Sequence, residues 1–242
     1  GGMDAGNEGP DFSHGFGSMN LLRSVTMMEN VTYFNDSLAH SLNRIHSIAV
    51  PANTAQLKAT LYWKDPPANL LASKTLVNDL DLDITPPSGP VVFPKILDTL
   101  PGNVNNLAIT GPDHINNIEQ IVIDNPLAGT YSLKVNATAV TQNPRQEYFL
   151  VYDIIPQSLV LTNPVGNEAL VTSVSAFDSL HIQWESYGGT PSQFTLEFLR
   201  DNAASWQLLT PSSNTISSDL RLFSWAVPDV ATSEARIRVT KN

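Results

Sequence analysis

The sequence contains no cysteine. Disulfide frameworks, thiolate nucleophiles and thiolate metal ligands are thereby excluded. The lack is compatible with a reducing cytosol and equally with export by a route that avoids cysteine. No long apolar run exists either, so no bilayer-spanning helix and no membrane insertion are expected. Charge is scarce: only 15% of residues are Asp, Glu, Lys or Arg, so the surface must rely on Asn, Ser and Thr. Positive charge is the scarcer sign, with 13 basic residues against 23 acidic ones and a formal net charge of -10. An acidic surface argues against nucleic acid and anionic membrane as partners. The basic residues are scattered and form neither a stripe nor a phosphate cradle. The histidines are His14, His40, His46, His114 and His181, and no two stand at His-x-x-x-His spacing, so zinc has little sequence support. Gly15-Phe16-Gly17 is too short for a dinucleotide loop.

What is present is period-two alternation. In residues 56–64, Leu57, Ala59, Leu61 and Trp63 alternate with Lys58, Thr60 and Tyr62. In residues 129–139, Tyr131, Leu133, Val135 and Ala137 do the same against polar neighbours. This is the pattern of antiparallel sheets with one wet face. It predicts strands at 31–34, 45–50, 56–64, 76–85, 118–124, 129–139 and 147–155, with a weak one at 105–109. Pro66-Pro67, the 86–90 run and the 125–129 run mark turns between them. A single helix is predicted at about 19–28, with Asn20 or Ser18 as its cap. Its apolar stripe is Leu21, Leu22, Val25 and Met28. A helix alone before a run of strands reads as the last helix of a body that precedes it.

The chain of 242 residues therefore divides into three stretches. Residues 1–30 read as the end of a preceding domain. Residues 31–155 read as a jelly-roll-like β-sandwich, because many short strands with Pro and Gly turns imply one. Residues 156–242 read as a second all-β sandwich with strands expected at 158–161, 170–173, 180–184, 193–200, 205–209, 220–225 and 234–240. Trp184 and Trp225 are expected as packing residues there. The opening Gly1-Gly2-Met3 is no signal peptide and reads as a scar before an internal Met, so the chain is expected to be an excised piece.

The stretch most charged with chemistry is Leu76-Val77-Asn78-Asp79-Leu80-Asp81-Leu82-Asp83-Ile84-Thr85. Leu80, Leu82 and Ile84 share one face of the strand, and Asp79, Asp81 and Asp83 share the other. Stacked carboxylates repel, and solvent, a basic partner or a hard cation must relieve them. Three strand-spaced Asp cannot all reach one ion, because alternate side chains stand roughly 7 Å apart. At most two neighbours could share it. Calcium is the candidate ion, and Asn78, Asp79, Asp81, Asp65 and Glu119 are the candidate ligands. The competing reading makes them solvent-facing acids and loop-fixing side chains. The Asn-rich stretch at 103–106 and the run at 111–117 read as polar turns, or as the rim of a docking surface.

Several motifs in order resemble the subtilisin-like serine proteases that carry a β-sandwich after the catalytic domain. Gly15-Phe16-Gly17-Ser18-Met19-Asn20-Leu21 is similar to the segment opening the last helix of that catalytic domain. Leu61-Tyr62-Trp63-Lys64-Asp65-Pro66-Pro67, Leu76-Val77-Asn78-Asp79-Leu80-Asp81-Leu82, Asn116-Asn117-Ile118-Glu119 and Asn125-Pro126-Leu127-Ala128-Gly129-Thr130-Tyr131 continue the likeness through the first sandwich. The second sandwich resembles the immunoglobulin-like or fibronectin-like modules of secreted bacterial enzymes. Asn163-Pro164-Val165-Gly166-Asn167-Glu168 and Leu180-His181-Ile182-Gln183-Trp184 carry that likeness, with Val165 and Asn167 departing from the usual residues. The resemblance implies a noncatalytic C-terminal region of a secreted or cell-surface endopeptidase. It implies the protein's own upstream catalytic domain as partner, and calcium in the sandwich. The family's Gly-Thr-Ser-Met-Ala nucleophile motif is absent, so no catalytic residue is expected in this chain. A protein or glycan ligand is the alternative role, with Tyr62, Trp206 and Tyr187 as candidate stacking residues, and an adhesion module is a further one.

Overall fold

The computed structural model describes residues 4–168, 179–188, 193–201, 203–209, 221–228 and 232–242. The chain divides into two compact units, Gly1–Pro156 and Gln157–Asn242. Among the described residues both are all-β apart from helix α1 (Leu21–Glu29) and a 3-10 turn at Pro101–Asn103.

The strands of the first unit are β1 (Tyr33–Leu38), β2 (Asn43–Val50), β3 (Thr54–Tyr62), β4 (Asp79–Thr85), β5 (Lys95–Ile96), β6 (Ile109–Thr110), β7 (Ile118–Asp124), β8 (Gly129–Ala139) and β9 (Gln146–Pro156). They form two antiparallel sheets, ordered β1-β9-β3-β7 and β2-β8-β4, with β5 and β6 paired as a short ribbon. The alternating apolar residues of both sheets meet in one core. Leu57, Ala59 and Leu61 from β3 and Leu80, Leu82 and Ile84 from β4 lie in it with Leu133, Val135, Tyr148 and Leu150. Truncating such a leucine to alanine costs about 2–5 kcal/mol.

The strand expected at 76–85 starts only at Asp79. The N–H groups of Val77 and Asn78 turn to the Asp65 carboxylate, at 2.8 and 2.7 Å, and not to a neighbouring strand. The strand expected at 31–34 starts at Tyr33, because Val31 takes a left-handed φ of 53° behind the helix. The weak strand expected at 105–109 is the two-residue β6, and β5 was not foreseen at all. Two-residue strands are too short to leave an alternation to read.

The second unit contains β10 (Ser158–Asn163), β11 (Ser179–Tyr187), β12 (Phe194–Leu199), β13 (Gln207–Leu208), β14 (Leu222–Ala226) and β15 (Arg236–Lys241). They pair as β10-β11-β14 and β13-β12-β15. Trp184 and Trp225 pack in its core against Phe194 and Phe198, with ring centroids 5.3 and 4.8 Å apart. The strand expected at 170–173 lies outside the described residues.

Candidate metal centre

Strand β4 has its leucines in the core, yet its opposite face is not open either. Asp79 and Asp81 are both buried. Pairing between β4 and β8 shifts register between Asp79 and Leu80, where Asp79 faces Ala139 and Leu80 faces Ala137. Thr138 is thus the extra residue on β8, a bulge of the kind that re-aims side chains. Its hydroxyl donates to Asp81 Oδ2. The next acid, Asp83, has a separate environment: it accepts from Asn136 Nδ2 at 3.0 Å and faces Lys134 Nζ at 3.9 Å.

Two further carboxylates converge from elsewhere. Glu119, on β7 of the opposite sheet, is 1% exposed. Its Oε2 accepts from Leu82 N at 2.6 Å, in place of a ladder partner on the free edge of β4. Asp113 is buried in the loop before β7. It accepts from Ile115 N, Asn116 N and Asn116 Nδ2, and so holds the tight turn that carries His114. His114 Nδ1 lies 3.2 Å from Asp79 Oδ2 and 3.3 Å from Asp81 Oδ1. On the remaining side, Lys74 Nζ donates to Asp79 Oδ2 at 3.1 Å.

The electrostatics of this arrangement are unfavourable as it stands. Burial, followed by the charges of Asp81, Asp113 and Asp79, pushes the Glu119 carboxyl up to about 9, although the Leu82 N–H pulls the other way. Burial also raises Asp81, partly offset by the Thr138 hydroxyl and His114. Asp79 Oδ1, Asp81 Oδ1 and Glu119 Oε1 are buried with no hydrogen-bond partner. Leaving a buried polar oxygen unsatisfied costs about 1–3 kcal/mol each, and more when charged. Two of these oxygens belong to Asp79 and Asp81, which share one face of β4. Ligand atoms of Asp79, Asp81 and His114 all lie within 4.8 Å of one another, so this cluster could hold a metal ion.

The sequence-predicted ligands separate into two groups. Asp79 and Asp81 lie in the cluster, while Glu119 is near enough to feel their charges but is not one of the residues whose ligand atoms gather within 4.8 Å. Asn78 and Asp65 are engaged elsewhere. Asn78 Oδ1 accepts from Thr141 N and Gln142 N, and its Nδ2 donates to Gln142 O and Gln146 Oε1. Its carbonyl accepts from the buried Trp63 indole at 2.9 Å. Asp65 closes the base of the loop between β3 and β4. Asp113 and His114 were not among the expected ligands. His114 stands alone in sequence, and no spacing rule links a lone His in a loop to acids on a strand some thirty positions away.

Trp206 has Arg238 over its ring at 4.3 Å, and Tyr187 has Arg221 at 5.7 Å. Tyr62, in the first unit, is exposed beside Phe149, its register partner on β9.

Helix α1 is built the wrong way round for a lone sandwich. Asn20 caps it by accepting from Arg23 N at 3.0 Å. Arg23 then turns to the sandwich and grips Asp153 of β9 with two hydrogen bonds, at 2.9 and 2.7 Å. The apolar stripe Leu21, Val25 and Met28 faces solvent, at 68%, 52% and 72% exposure. No described helix is long and apolar enough to cross a membrane.

No family model matches the chain. A curated relative, the serine protease/ABC transporter B family protein tagA of Dictyostelium discoideum, is 28% identical over 153 residues. The match covers 58% of this chain and 8% of that protein, so the chain corresponds to a small part of its relative. Among solved structures, the Bacillus licheniformis lipase BlEst2 in propeptide form aligns with 86% of this chain and 40% of its own, at 11% identity and a TM-score of 0.31. The Spr0440 glycoside hydrolase domain, Endo-D from Streptococcus pneumoniae R6, aligns over 86% of this chain and 33% of its own, at 15% identity and a TM-score of 0.24. Scores this low carry no argument. The chain is thus an all-β protein with sequence similarity to part of a protein named as a serine protease.

Proposed function

We propose that this chain is a noncatalytic accessory region of a secreted, subtilisin-like serine endopeptidase. In this reading the first sandwich docks on the catalytic domain through α1, and calcium at the acid cluster stiffens it. The chain itself supplies no catalytic residue. The observation that carries the reading is α1, whose Arg23 grips β9 while Leu21, Val25 and Met28 stand exposed. Covering Leu21, Val25 and Met28 would stabilise a partner contact by roughly 1–2 kcal/mol per side chain. The similarity to a protein named as a serine protease supports the choice of partner.

Calcium is favoured over other ions by the carboxylate oxygens of Asp79 and Asp81, because it takes hard oxygen ligands. Bound there, it would satisfy the partnerless oxygens of Asp79 and Asp81 and, by its charge, favour the ionised form of the nearby Glu119. The test of docking uses the full polypeptide that contains this chain. Replacing Leu21, Val25 and Met28 together by serine should shorten the half-life of peptidase activity on heating, with kcat/KM unchanged at low temperature. An unaltered half-life would sink the docking surface. A full polypeptide that cleaves no peptide bond would sink the protease reading altogether.

A further inference from the structure

We infer that Lys74 is a built-in counter-ion of the acid cluster, expelled when a divalent cation binds, and that its expulsion frees the arm of residues 66–75. The inference rests on the metal reading above. Its starting point is an atom with too many claims on it. Asp79 Oδ2 lies 3.1 Å from Lys74 Nζ and 3.2 Å from His114 Nδ1, while Oδ1 of the same carboxylate has no partner. A divalent ion held by Asp79 and Asp81 would stand within a few ångströms of the ammonium, and like charges so close in a half-buried site repel strongly. The lysine ammonium relieves this by swinging out, because its stem is long and its side chain is already half exposed.

The arm is built to feel that exchange. Its base is clamped by Asp65, which accepts from Val77 N and Asn78 N. Beyond the base, residues 69–75 are all exposed. The tip is a tight turn closed by Ala72 N to Asn69 O at 3.1 Å, and it presents Leu70 and Leu71 fully to solvent. Leu71 adopts a left-handed φ of 66°. Such a segment has no apolar burial to hold it, so its position depends on the Lys74 ion pair. The metal would therefore tighten the sandwich and loosen this arm at once.

The test uses the full chain with calcium chloride as the probe. The absence of cysteine makes Leu70→Cys a unique attachment point for an environment-sensitive fluorophore. Calorimetry records calcium binding in the same titration. Emission should change with the midpoint of the binding heat. Trypsin should cut after Lys74 about two- to fivefold faster with calcium than with chelator, the change expected for losing a half-exposed ion pair. Cuts elsewhere in the first unit should slow. In Lys74→Met, calcium should bind about two- to fivefold more tightly, and emission should no longer respond, because the arm is free from the outset. Calcium binding without an emission change and without faster cleavage after Lys74 overturns the exchange and leaves the metal reading standing. No binding heat and no thermal shift at millimolar calcium overturns both.

Discussion

Replacing Glu119 by glutamine should remove the part of the first unit's pH-dependent stability that this buried carboxyl carries. The carboxyl titrates near 9 in the folded protein against an ordinary 4.5. The folded state therefore keeps a proton that the unfolded chain sheds, and stability falls as pH rises. The contribution is fully present below about pH 4.5 and is lost progressively up to about pH 9. At pH 7 the loss is about 3 kcal/mol, from 1.36 kcal/mol for each unit above 4.5. For a unit of this size that corresponds to roughly 6–12 °C in Tm. Glutamine keeps an oxygen to accept from Leu82 N and offers N–H donors in place of the carboxyl proton. Glu119→Gln should match the wild type near pH 4.5 in chelator and exceed it increasingly toward pH 9. Calorimetry of the full chain measures both curves. Added calcium should raise the wild type, because the ion favours the ionised carboxylate, and should do much less for the variant. Parallel curves in chelator would refute the buried, proton-holding Glu119.

Other substitutions probe neighbouring parts of the same reasoning. His114→Ala should leave calcium affinity unchanged or raise it, since imidazole is a poor ligand for a hard cation, while weakening zinc or manganese binding; isothermal titration with each ion decides. Arg23→Met should free α1 from β9, raising amide exchange of residues 21–29 by about ten- to a hundredfold, the equivalent of roughly 1–3 kcal/mol for a bidentate charged pair; unchanged exchange would show that the helix is held by something else. Val31→Gly should raise the unfolding free energy by about 0.5–1 kcal/mol, because a β-branched residue at a left-handed helix end is strained and glycine is not. Chemical denaturation measures that gain, and a loss would refute the strain argument.

The motif around Asn78 illustrates how far residues in order can be read. Alternation placed Leu80, Leu82 and Ile84 in a core, and they are there. It also placed Asp79 and Asp81 together on the opposite face, and strand spacing limited any shared ion to two of the three acids. Asp83 indeed faces Lys134 and Asn136. Spacing could not reveal that Asn78 is consumed by the backbone of residues 141 and 142. That task depends on a loop more than sixty positions away.

Sequence alone determined the all-β class, most strand positions and the odd helix, with its cap narrowed to Asn20 or Ser18. Those features are local: a period of two, a period near 3.6, and turn residues whose backbone preferences act within a few positions. Tertiary structure alone decided the chemistry. Asp79, Asp81, Asp113, His114, Glu119 and Lys74 come from a strand edge, a facing sheet and two loops. Glu119 is buried against the edge of β4 from the facing sheet. Asp79 and Asp81, on the other face of β4, are buried beside the loop residues His114 and Lys74. The chain's folding thereby gathers ordinary acids into a cluster that could hold a metal ion.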